Sequence, residues 1–172
     1  MSAPIIEPAV NDREALGSYP GTEAKVGQLI RLADEYYKAA HALLPHFSTR
    51  DAISSAPIRL CAIHAIELYL NAFLRFHDLT SSEIRSLQHN LAERVTKAME
   101  KGLCLKPKTA AHLSRLHNHR EYLLVRYGPE SMDGLSEHTR IFATLKEVCQ
   151  KVSAAIYKQP YEQSDPRFKQ WW

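Results

Sequence analysis

No two cysteines in this 172-residue sequence are spaced to grip a metal together. Cys61, Cys104 and Cys149 stand far apart, odd in number and beside apolar neighbours. That pattern points to free buried thiols in a reducing compartment and argues against a disulfide framework or a structural zinc site. A large excess of charge of one sign is missing as well. The formal net charge of +3 does not announce a nucleic-acid-binding surface, although nine histidines add positive charge below neutral pH. The N-terminus lacks a basic stretch followed by an apolar run, so no signal peptide is expected and the default location is cytoplasmic. Strand-like alternation and internal repeats are absent, which leaves helices to build the fold.

What is present is the material of one ordinary core. An apolar fraction of 45% and a charged fraction of 24% are those of a soluble globular domain. Prolines and glycines make residues 1–21 an irregular arm, residues 22–159 read as the helical bundle, and 160–172 form a tail ending in two tryptophans. The expected architecture is an all-α, up-and-down bundle of four long helices plus one short helix.

The centre of that bundle is the stretch 57–78. It opens with a proline where a first helical turn tolerates one, and continues almost unbroken in apolar residues. At about 100° per residue, His64, Glu67, Asn71, Arg75 and Asp78 fall in one stripe roughly 80° wide. A helix apolar on every other side belongs inside a bundle. Its length could span a bilayer, but His64, Glu67, Asn71 and Arg75 make insertion costly, so no membrane partner is expected.

Around it, a first helix opens at Thr22 as N-cap and stops at Pro45. Its apolar residues recur at Val26, Leu29/Ile30, Ala33, Tyr36/Tyr37, Ala40 and Leu43/Leu44, and Asp34 among others is left to water. Thr80 and Glu83 have capping-box spacing. Leu87, Leu91, Val95 and Met99 share one face of the next helix, which stops at Gly102. Pro107 starts a fourth helix running to Tyr127, and Ser136 caps a last one with Ile141, Leu145, Val148, Val152 and Ile156 on one side.

The fourth helix repeats the anomaly of the second. Arg120 lies in the middle of a core face made by Leu113, Leu116, Leu123, Leu124 and Tyr127. A buried guanidinium needs a partner, and Glu67 and Asn71 are the candidates. The expectation is a contact between Arg120 and Glu67. It serves either as a buried ion pair that sets helix register or as part of a pocket for a small anionic or nucleotide ligand. On the same helix Arg115, His119, Tyr122 and Arg126 share a sector of about 60°. That face is suited to phosphate and base, and equally to solvent or a dimer contact.

AIELYLNAFL in the second helix, His89–Leu91 opening the third, and LHNHREYLLVRYGP in the fourth resemble the HEPN family of small helical bundles. Glu67, His89, Leu91, Arg126 and Tyr127 carry the likeness. Asn71 stands where lysine is frequent, and Gly128 intervenes before Pro129. Many members of that family are metal-independent ribonucleases with an Arg-x4–6-His motif; others are binding modules paired with nucleotidyltransferase-like or toxin–antitoxin partners. Arg115 and His119 are separated by one residue too few for the motif, and Arg59 with His64, a literal match, would point about 140° apart. The resemblance therefore implies a non-catalytic domain, homodimeric, binding a nucleotide, an RNA or a protein. The ligand-binding residues are Arg120, Glu67, Asn71, His64, Tyr122 and Arg126, and no cofactor or metal is implied. The alternatives are a metal-independent endoribonuclease using Arg115 and His119, and a structural interaction protein.

Overall fold

A computed structural model of the chain describes residues 19–158. Among these residues the regular structure is helical, apart from one isolated bridge between Ser48 and Asp51. Most of the arm and the tail, with its two tryptophans, lie outside the described residues. In order come α1 (Val26–Ala42), 3-10 turns at Leu44–His46 and Ala52–Ser55, and α2 (Ala56–Phe76). Then follow α3 (Ser81–Ser86), α4 (Leu91–Glu100), α5 (Pro107–Asn118), α6 (Glu121–Tyr127), a 3-10 stretch at Pro129–Gly134, and α7 (His138–Tyr157).

The apolar stretch expected at the centre is there. α2 packs against α1 and α7 along its length and also meets α4 and α6. Ala52–Phe76 is long and apolar enough to cross a membrane, yet 67% of its most apolar window is buried in the fold. Ile30, Ala33, Tyr37 and Ala40 of α1, and Ile141, Leu145, Val148 and Val152 of α7, close over it as their helical spacing predicts, while Val26, Leu29, Tyr36 and Ile156 on the same faces are only half-buried. Gly102 ends α4 at φ +96°, a left-handed conformation that suits glycine, and Thr80 with Glu83 forms the capping box that opens α3.

Several expectations need correction. α1 starts at Val26, and Thr22 instead donates its hydroxyl to the Tyr19 carbonyl in the preceding turn. Ser136 is buried two residues before α7 rather than capping it. Asp34 is buried, because the Tyr69 hydroxyl donates to it at 2.6 Å. Met99 is exposed and Ala98 takes the inward position on α4. Among the cysteines only Cys149 is buried; Cys61 is half-buried and Cys104 exposed.

The largest difference is in the fourth expected helix, which is two helices. α5 ends at Asn118, and Arg120 adopts a left-handed conformation (φ 51°, ψ 37°) before α6 begins. The break turns the frame, so Glu121 and Val125 point inward while Leu123 and Leu124 are half-buried and Tyr127 is 77% exposed. Arg120 itself is exposed and has no ion pair among the described residues. Its expected contact with Glu67 is therefore not made.

The physical reason is Arg59. This α2 side chain is buried, and its Nη1 lies 3.0 Å from Glu121 Oε2 and 3.2 Å from Ser136 Oγ. The Ser136 backbone N–H also donates to Glu121 Oε1. A left-handed non-glycine residue costs roughly 1–2 kcal/mol. A continuous helix would aim Arg120 inward instead and leave the Arg59 guanidinium without its carboxylate, which costs about 3–5 kcal/mol. The buried pair outweighs the strained turn.

Candidate functional site

The polar stripe of α2 faces a cavity of about 1050 Å³. His64, Glu67, Asn71 and Arg75 form its floor, and Asp78, past the end of α2, is not part of it. The turn from Tyr19 to Ala24 and the start of α1 form one wall, while Ser81, Ile84 and Arg85 of α3, with Gln88, His89 and Arg94, form the other. Leu29, Leu32, Leu68 and Ile84 add apolar surface to its floor and both walls. Three guanidiniums and two imidazoles stand against two carboxylates, Glu23 and Glu67. The α3 wall is tied to the turn opposite by Ser81, whose hydroxyl donates to the Thr22 carbonyl at 2.7 Å.

An arginine does meet Glu67 and Asn71, but it comes from α4. Arg94 is buried to 2% exposure, donates through Nε to Asn71 Oδ1 at 2.7 Å and through Nη2 to the Gln88 carbonyl at 2.6 Å, and lies 3.3 Å from Glu67 Oε1. Burial pushes this guanidinium below its ordinary pKa, and Glu67 pulls it back. The faint signal in the sequence was its place between Leu91, Val95 and Ala98, on the inward side of a short helix.

Glu67 also faces His89, with Oε2 and Nδ1 3.4 Å apart. The His89 ring lies 5.0 Å from the ring of Tyr122, which carries the α6 surface to the cavity rim. His64 meets Tyr36 edge-on at 4.4 Å. Burial lowers the His64 pKa; Glu67 opposes this, while Arg126 and His89 push the same way as burial. The imidazole is thus neutral at pH 7 and can donate or accept a hydrogen bond.

Of the sequence candidates, His64, Glu67 and Asn71 line the cavity. Tyr122 joins it through His89, and Arg126 through its charge on His64. Arg120 does not belong to it. Arg115 and His119 are exposed at the end of α5 and do not line the cavity either, so the break separates the shared sector expected for Arg115, His119, Tyr122 and Arg126. Arg59, the other half of a literal Arg-x4-His, is held in the core by Glu121.

Sequence reading missed a second polar centre. His112 of α5 bonds Thr144 Oγ1 through Nδ1 at 2.7 Å and Ser136 Oγ through Nε2 at 3.2 Å, which links it to the Arg59–Glu121 pair. Burial, helped by Arg140, Arg115 and Arg59, lowers the His112 pKa to about 4. Nearby, Glu147 of α7 accepts from the Lys106 N–H at 2.6 Å and the Thr109 hydroxyl at 2.7 Å, and so caps α5 from another helix. All of these groups are buried or tied to backbone and serve to fix α5, α6 and α7 on α2. Among the described residues, no group of three His, Cys, Asp or Glu side chains is placed to hold a metal ion.

Compared with known proteins, the chain matches no family model, no curated protein and no solved structure.

Proposed function

We propose that the chain is an HEPN-like helical domain that binds a nucleotide or RNA in the cavity beside α2 and does not itself catalyse a reaction. The observation that carries this reading is the cavity itself. Its volume, about 1050 Å³, is at the upper end of small-molecule sites, and a mixed polar and apolar lining is what such ligands require. The likeness to the family is supported by where its residues meet: Glu67 and His89 are in contact, Tyr122 stacks beside His89, and Arg126 acts on His64.

The non-catalytic form is favoured because Arg115 and His119, the nuclease candidates, stand on the surface away from the cavity lining. The homodimer, protein partner and cytoplasmic location expected from the sequence belong to the same proposal, and light scattering on the eluted protein reads the first.

Thermal unfolding with added ribonucleotides or short RNA tests the reading. A ligand in hundredfold excess over its dissociation constant adds about 2.7 kcal/mol, a shift of several degrees for a chain of this size. The shift should vanish in His64→Ala and survive in Arg115→Ala. Absence of any shift would remove the binding reading. RNA cleavage in EDTA that disappears in Arg115→Ala and His119→Ala would replace it with the nuclease.

A further inference from the structure

We infer that the cavity takes a ligand with a terminal phosphate, a nucleoside monophosphate in its simplest form, held by Arg75 of α2 and Arg85 of α3. This rests on the nucleotide reading above and narrows it to one ligand class.

Some of the cavity's charges already have partners. Arg94 and Glu67 neutralise each other, and the remaining face of Glu67 is turned to His89. Arg75 and Arg85 line the same cavity, and neither is in an ion pair among the described residues. Glu23, on the opposite wall, is the one carboxylate left in the lining among the described residues. Arg75 gives a single N–H to the Leu79 carbonyl at 3.2 Å. Arg85 lays its guanidinium over the Tyr19 ring, 4.7 Å from the centroid. Stacking uses the flat face of a guanidinium and leaves its in-plane N–H groups free to grip an anion two at a time.

Two guanidiniums that line one cavity outside any ion pair among the described residues match a dianion. A phosphomonoester carries close to two charges at neutral pH, since its second pKa is about 6. A phosphodiester inside an RNA strand carries one and presents no terminal oxygens. The apolar lining that Leu29 and Leu32 of α1 contribute suits the flat face of a base.

Calorimetric titration of the full chain separates the outcomes. The probes are the four ribonucleoside 5′-monophosphates, their nucleosides, inorganic phosphate, and dinucleoside phosphodiesters without a terminal phosphate. At least one monophosphate should bind tenfold or more tighter than its nucleoside and than any phosphodiester, with inorganic phosphate competing. Arg85→Gln, an exposed change, should bring that monophosphate down to the affinity of its nucleoside at unchanged melting temperature, and Arg75→Gln should do the same with at most a small fall in melting temperature from its lost bond to Leu79. Nucleosides or phosphodiesters binding as tightly as monophosphates would remove the phosphate clamp and leave the nucleotide cavity standing. A monophosphate preference that survives both substitutions would do the same. Binding of none of the probes would overturn this inference and the nucleotide half of the reading above.

Discussion

Arg59, Arg94 and Arg120 show how much turns on a single guanidinium. Two are buried and paired with carboxylates, Glu121 and Glu67, and the third is in water in a left-handed turn. The sequence made it legible that α2 needs a cationic partner, because Glu67 and Asn71 sit on an otherwise apolar helix. It did not reveal which arginine, because Arg94 and Arg120 both fall near apolar neighbours and spacing alone ranks them equally. Glu121→Gln should destabilise the fold by about 3–5 kcal/mol in urea unfolding, since Arg59 loses its charge partner in the core. Arg120→Gly should do the opposite and raise stability by up to about 1 kcal/mol, because glycine adopts the left-handed conformation without strain. A destabilising Arg120→Gly would mean that the side chain has a role which its exposure does not suggest.

At the scale of elements, α2 was readable because its apolar run and proline start leave few alternatives, and Gly102 and Pro107 punctuate the chain where they should. The break between α5 and α6 was not readable. Neither glycine nor proline occurs at 118–120, and the cause is a residue in another helix, Arg59, drawing Glu121 inward. The same long-range dependence hid the His112 centre, which assembles from α5, α7 and the loop before α7. Its consequence is measurable. The folded pKa of His112, about 4, lies below the 6.5 of an ordinary imidazole, so the unfolded chain takes up the proton first. The stabilisation is complete above pH 6.5 and is lost as the pH falls towards 4, by at most about 3 kcal/mol. His41 and His64, also lowered by burial, act in the same direction. Melting temperature should therefore fall over this window, and His112→Gln, less stable at pH 7, should show a shallower fall. An unchanged slope in that variant would assign the acid sensitivity to other groups.

The described residues form a set of helices packed on one largely apolar rod whose polar stripe opens onto a cavity. One arginine, Arg94, closes part of the seam for the sake of the fold, and the rest of it faces the cavity with cations around the rim. The competing nuclease reading puts the chemistry elsewhere, on the exposed end of α5. The nine histidines distinguish the two, because His64 and His89 line the cavity while His119 stands outside it. The most direct measurement is the imidazole NMR spectrum of the full chain, with each histidine assigned by substitution, during titration with ribonucleotides. If the cavity binds them, the His64 and His89 ring signals move together and saturably while that of His119 stays in place. A spectrum in which His119 moves and the two cavity histidines do not would contradict the binding cavity.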